Sequence, residues 1–231
     1  ALLALALSLI LMRVRADWDG DRQADARLFI SPHAGLTLIW RHPILRWLAL
    51  CSFAYSAVQL SLTGLLVTYL VTEVGIDLVL AGSLLAIAQT AGAAGRLGWG
   101  WLADRLRSGS KVLILNGIVA MTASILTAMI TVSWPVVLIA AVVALFGFCA
   151  VGWNGVFMAV IARQAPRQSI GLATGATLSI TFAGVIVGPS GFALMHDKLG
   201  ISYADGYLLM AFVTLLGVLC MVRARKGIPP R

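Results

Sequence analysis

The chain has 231 residues, of which 60% are hydrophobic and 11% charged, with a mean hydropathy of +0.96 and a formal net charge of +8. Soluble domains carry about 25% charged residues, and this much apolar surface cannot be hidden inside one globule. A soluble enzyme, a disordered tail and a disulfide scaffold are excluded. What remains is a multi-spanning membrane protein. Its apolar runs are continuous, whereas membrane-barrel strands alternate over about 10 residues, so the expected class is all-α. Basic residues in such a chain mark the cytoplasmic side. The partner implied by the charge is therefore the lipid bilayer, not nucleic acid.

Residues 1–12, ALLALALSLILM, are apolar but too short to span, since a spanning helix needs about 20 residues. They lack an initiator Met and a basic leader region, which argues against an intact signal peptide. Residues 1–15 are read as the end of a truncated transmembrane helix, and the chain as a fragment. Residues 16–43 are polar, mixed in charge and punctuated by Ser31-Pro32 and His42-Pro43. They are expected to form a long loop with a short surface helix around Leu36 to Trp40.

Six fuller apolar segments follow at 44–72, 77–102, 111–132, 134–162, 168–195 and 203–222. Each can cross about 30 Å of hydrocarbon. The expected fold for residues 44–231 is a six-helix bundle. Pro135 and Pro166 suit first-turn positions, where a missing N–H costs nothing. Trp47, Trp99, Trp101 and Trp134 fall near segment ends, as an interfacial belt requires.

The basic residues fix an orientation. Arg13, Arg15, Arg22, Arg27, Arg41 and Arg46 flank the first loop. Arg96, Arg105, Arg107 and Lys111 surround the connection after the second full segment, Arg163 and Arg167 the one after the fourth, and Arg223, Arg225, Lys226 and Arg231 end the chain. Of the 17 basic residues, only Lys198 lies in an intervening connection. This alternation puts the long loop and the C-terminus in the cytoplasm. The expected location is a bacterial inner membrane.

Cys51, Cys149 and Cys220 all lie in apolar runs with no metal-binding or disulfide spacing. They are read as small packing residues, and no metal is implied.

Helical spacing picks out polar and small faces. Ser52, Tyr55, Ser56, Gln59 and Thr63 share one face of the first full segment. Gly82, Ala86, Gln89, Ala93 and Arg96 form a stripe on the second, and Thr174, Thr177, Thr181, Gly184 and Gly188 on the fifth. Polar side chains do not face lipid cheaply, so these faces turn toward helices or water. The small residues suit helix–helix contact, with Gly171-x-x-x-Gly175 and Gly184-x-x-x-Gly188 at contact spacing. Gln59, Gln89 and Asn154 are candidates for lining a substrate cavity, because a buried amide needs several partners. Tyr55 and Trp153 are candidates for its wall, and packing serves them equally well. Pro189 is expected to kink its helix near the outer end. Gly188-Pro189-Ser190-Gly191 also matches an intramembrane protease motif, but that chemistry needs a histidine base within reach of the serine, and His196 falls at the segment end.

Residues 95–111 read GRLGWGWLADRLRSGSK. Gly100, Leu102, Ala103, Asp104 and Arg105 resemble the loop signature of the major facilitator superfamily, G-x-L-A-D-R-x-G-R-K. The closing glycine and basic residue are matched only by Gly109 and Lys111, which are displaced. A degraded copy suits the second half of such a transporter. The resemblance covers the whole chain. It implies the end of helix six, an inter-half loop over 16–43, and helices seven to twelve, with an N-terminal half missing. It also implies alternating-access transport of a small-molecule substrate bound between the halves, with Asp104 and its neighbours as a gating loop. The stretches around Gly152-Trp153-Asn154-Gly155 and Gly184 to Pro189 resemble bacterial permeases for small organic anions. No ATP-binding loop is present, so an ion or substrate gradient would drive transport, and no cofactor or enzyme activity is implied. The competing reading is a complete small multi-pass protein acting as a channel-like or scaffold subunit.

Overall fold

A computed structural model describes residues 8–12 and 32–228, and the chain divides into two units, residues 1–31 and 32–231. In the first unit residues 8–12 are helical. The expectations for Arg13, Arg15, Arg22 and Arg27, and for most of the first loop, lie outside the described residues.

The second unit is all helix among its described residues. Its elements are α1 (Pro32–Arg41), α2 (Pro43–Thr72), α3 (Leu78–Arg105), α4 (Gly109–Ala128), α5 (Val136–Ala150), α6 (Asn154–Gln164), α7 (Ile170–Leu199) and α8 (Tyr203–Lys226). With α5 and α6 taken together, six spans are long and apolar enough to cross a membrane. The chain is a multi-pass membrane protein with a six-helix bundle.

Local chemistry sets the boundaries. Pro43 occupies the first turn of α2. Asp77 caps α3 by accepting the N–H of Val79 at 2.9 Å. Ser202 caps α8 by accepting from Asp205 N, while its hydroxyl donates to the Asp205 carboxylate. These bonds satisfy N–H groups that a helix start leaves bare. Gly200 ends α7 at φ 64, a left-handed conformation that glycine adopts freely.

Packing follows the small residues. α2 lies against α7 and α8, α4 against α8, and α3 against α5. The α3–α5 contact is a glycine seam. A Cβ on Gly92 would sit 2.6 Å from Val151 Cβ, and one on Gly95 or Gly147 would strike the facing backbone at Phe148 or Ala88. The α2–α7 contact uses Gly184 and Gly188, where a Cβ at Gly188 would come within 2.6 Å of Ala57 Cα. Hydroxyls reinforce it: Ser56 donates to Thr181 O at 2.7 Å, and Thr181 donates to Ser52 Oγ at 2.8 Å.

Several expectations are corrected. The segment 134–162 is not one continuous helix. It breaks over Val151, Gly152 and Trp153, where Gly152 is pressed against Gly95 and Trp99. Trp99 is not an interfacial anchor. It is buried, and its indole N–H donates to Phe148 O at 3.1 Å, beside the glycine seam. A Cβ added to Gly171 or Gly175 would meet nothing within 4 Å among the described residues. Pro189 lies inside α7, which is helical on both sides of it, as a kink allows. The short helix α1 extends beyond the expected Leu36 to Trp40, burying Ile39 with Ala49 and Ala176.

Candidate functional site

Three elements meet at the middle of the bundle. α2 supplies Gln59, and the break between α5 and α6 supplies Trp153 and Asn154. Because the break ends one helix and starts another, these two adjacent side chains both reach α2. Gln59 Oε1 accepts the Trp153 indole N–H at 3.1 Å and the Asn154 amide N–H at 3.2 Å. Both bonds go to the same oxygen. Gln59 Nε2 and Asn154 Oδ1 carry no hydrogen bond among the described residues, and neither is a sealed, partnerless atom. The pair therefore presents one amide donor group and one carbonyl acceptor from half-buried side chains.

Tyr55, one turn before Gln59, meets Trp153 edge to face with centroids 5.6 Å apart. Its hydroxyl donates to Leu113 O on α4 at 2.9 Å. The ring fits a slot left by Gly117 and Gly217, where added Cβ atoms would collide with it. Trp153 is 1% exposed and stacks edge-on with Phe157. Tyr55 and Trp153 thus form the packed back wall, and the amides of Gln59 and Asn154 form the polar front.

Gln89 does not join this cluster by any hydrogen bond. It lies on the face of α3 with Gly82, Ala86, Ala93 and Arg96, all exposed, while Ala81, Leu84, Ala88, Gly92, Gly95 and Trp99 form the buried face. Sequence spacing identified the stripe, and the glycine seam behind it shows why it turns outward: the opposite face is committed to α5.

A small cavity lies behind the wall, lined by Tyr55, Val58, Asn116, Cys149, Trp153 and Thr214 among others. Asn116 Oδ1 is buried there without a partner among the described residues. Sequence reasoning passed over Asn116, although a lone amide in the apolar run of α4 was a visible signal.

In the last turn of α3, Asp104 and Arg105 are exposed, and Arg105 lies over the Trp101 ring at 5.4 Å. The helix ends with Ser108 N bonded to Ala103 O and Arg107 N to Asp104 O, both at 3.1 Å. This pattern places a left-handed residue between them, and it is Arg107, at φ 48. Counted from Asp104, Arg107 stands where the loop signature has its glycine. Gly109 instead opens α4 close against Val160, and Lys111 N is bonded by Ser108 Oγ. Gly100 faces open space.

Ser190 is exposed on α7. His196 Nδ1 is paired with Ile201 O at 2.7 Å, and its ring stacks on Tyr203 at 4.4 Å. Six residues of helix put the two side chains on different faces.

Glu73 was read from sequence only as an acid in an outer connection. Its carboxylate accepts the main-chain N–H groups of both Tyr203 and Ala204, closing the start of α8 onto the end of α2. Sequence carries no local signal for a cap supplied from so far along the chain.

Comparison with known proteins agrees with this architecture. No curated relative matches the sequence. Among solved structures, the chain is similar to the Escherichia coli fucose:proton symporter FucP, with a TM-score of 0.70 and 20% identity, covering 90% of this chain and 49% of that one. The chain thus spans about half the length of that protein, and the likeness concerns the fold. The family model for the Major Facilitator Superfamily matches residues 1–189. By that match, which takes in the loop signature, the whole of α2 to α6 and most of α7, the chain belongs to the major facilitator superfamily.

Proposed function

We propose that this chain forms one half of a secondary active transporter that moves a small polar solute by alternating access across a bacterial inner membrane. The observation that carries the reading is the Gln59–Trp153–Asn154 cluster. It is rigid behind, where Trp153 is buried and hydrogen-bonded, and open in front, where one amide donor and one carbonyl acceptor remain unused. Transporters of repeated-half design bind substrate at the midplane between the halves. The outward stripe Gly82, Ala86, Gln89 and Ala93 supports a second six-helix half as the partner on this side, because a polar amide facing hydrocarbon would be costly.

The finer reading of the solute as a small organic anion rests on the resemblance of the stretches around Gly152 to Gly155 and Gly184 to Pro189 to bacterial permeases, and Arg96, the one cation on the Gln89 face among the described residues, supports it. The basic residues beside Asp104, at Arg163 and Arg167, and at the end of α8 support a cytoplasmic C-terminus. Glu73, Asp77 and Asp205 are engaged at helix starts, which leaves Asp104 and Asp197 among the described residues, both exposed near helix ends, and this supports a proton-carrying residue in the other half. Asp104 would then act by charge contact across the two halves as conformations exchange.

The test is uptake into proteoliposomes of the full-length protein under an imposed proton gradient, with hexoses, polyols and carboxylates as probes. Uptake of one class that is lost in Gln59→Leu and Asn154→Leu supports the reading. For a carboxylate, Arg96→Gln should raise KM at least tenfold. Uptake that is unaffected by both amide substitutions contradicts the site.

A further inference from the structure

We infer that the end of the bundle where α2 starts and α8 finishes holds the headgroup of an anionic phospholipid, on a cluster of Arg46, Trp47 and Arg223. The Arg46 guanidinium lies 5.6 Å from the centroid of the Trp47 ring, and the Arg223 guanidinium also lies 5.6 Å from it. The two cations are therefore within twice that distance of each other. They come from helices that touch at this end, where a Cβ on Gly227 would sit 3.0 Å from Ile44 Cγ1. Arg46 and Trp47 are half-buried and Arg223 is exposed, so the cluster is open to a ligand from outside the bundle.

The cluster has charge of one sign. Among the described residues neither guanidinium has a carboxylate partner. Glu73 and Asp205 are engaged at the far ends of α2 and α8. The face of an indole compensates a cation in part, but two like charges gathered on one ring still repel. A phosphate relieves that repulsion and accepts charge-assisted hydrogen bonds from guanidinium N–H groups. An orientation rule alone is satisfied by solvated arginines at span ends. These two instead converge on a single side chain from the first and last helices that span the bundle.

Depth and surroundings favour a lipid over free phosphate. α2 has 30 residues, about 45 Å of helix at 1.5 Å per residue, against about 30 Å of hydrocarbon. Arg46, in its first turn, therefore reaches headgroup level. On α8, Leu208, Phe212, Leu215 and Leu219 are exposed and follow steps of four, three and four, with Arg223 four residues beyond. This stripe carries no polar side chain before Arg223, and such a face suits acyl chains. A chain laid along it leads its headgroup to the arginine. Basic sites between membrane helices recognise anionic headgroups. A zwitterionic headgroup brings its own ammonium to the two cations and gains less.

The test uses the full-length protein in a neutral detergent, with binding read as the dose-dependent rise in Tm. Palmitoyl-oleoyl phosphatidylglycerol should stabilise it at several-fold lower concentration than phosphatidylcholine with the same chains, and millimolar inorganic phosphate should not. Arg223→Gln, at an exposed position, should weaken the phosphatidylglycerol response about fivefold, and Arg46→Gln/Arg223→Gln roughly twentyfold. The control is Arg41→Gln/Arg225→Gln, which removes two exposed charges at the same end and should respond as wild type does, because Arg225 lies on another face of α8 from Arg223. Equal stabilisation by phosphatidylcholine, a wild-type response in Arg223→Gln, or an equal loss in the control pair overturns the inference. Stabilisation by inorganic phosphate as strong as by the lipid overturns it too, in favour of a site for the free ion.

Discussion

Glu73, at the C-terminal end of α2, holds Tyr203 at the first turn of α8 through a carboxylate–amide hydrogen bond, with a second bond to Ala204 N at 3.0 Å. An anion beside bare N–H groups at a helix start gains from both hydrogen bonding and the helix dipole. Glu73→Ala should lower stability by about 1–2 kcal/mol, and Glu73→Gln by less, because one acceptor remains. Thermal unfolding of the detergent-solubilised protein reads the difference. Equal losses for Ala and Gln would show that the charge and both acceptor oxygens matter together.

Arg107 is held left-handed at the end of α3, at φ 48. A side chain in that conformation costs about 1–2 kcal/mol relative to glycine. Arg107→Gly should therefore raise stability, by about 1 kcal/mol after the greater freedom of glycine in the unfolded chain is counted. Arg107→Val should do the opposite. A higher unfolding temperature for the glycine variant checks the sign.

The glycines divide into those that cannot grow and those that can. Gly95→Val or Gly147→Val would force α3 and α5 apart, with a loss of at least about 1–3 kcal/mol for overpacking. Gly82→Val and Gly171→Val meet open space in this bundle and should leave the yield of folded, monodisperse protein unchanged. Size-exclusion profiles of the four variants separate the two groups.

Gln59 holds two donors on one oxygen. Gln59→Leu leaves the buried Trp153 N–H without an acceptor, at a cost of about 1–3 kcal/mol. Gln59→Glu keeps the acceptor and should be close to wild type in stability. Unfolding followed by tryptophan fluorescence is the measurement, and a Leu variant as stable as the Glu variant would mean the Trp153 bond contributes nothing.

Much of the fold was legible in the sequence because the membrane imposes length and apolarity on each span, and breakers such as Pro43, Gly75 and Gly200 stand between them. The helix break before Asn154 was not legible, because the apolar run continues through Val151. The burial of Trp99 was hidden for a related reason: its partner is a backbone carbonyl, Phe148 O, that no side-chain pattern marks. At the site, spacing brought out Tyr55, Gln59, Trp153 and Asn154 one helix at a time, but their meeting at a single oxygen depends on how α2 crosses α5 and α6. Of the two glycine pairs with the same spacing, only Gly184 and Gly188 face another helix among the described residues, since spacing sets a face and not its neighbour.

The central claim is that the amide-bearing faces of α2, α3 and α6 line an aqueous cavity. Thiol accessibility in native membranes tests it without knowledge of the solute. With Cys51, Cys149 and Cys220 replaced by alanine in the full-length protein, Gln89→Cys and Asn154→Cys should react with a membrane-impermeant maleimide. Leu97→Cys, which is exposed on another face of α3, should remain unlabelled in lipid. Labelling at 89 and 154 but not at 97 is the predicted result, and labelling at none of the three would contradict the account.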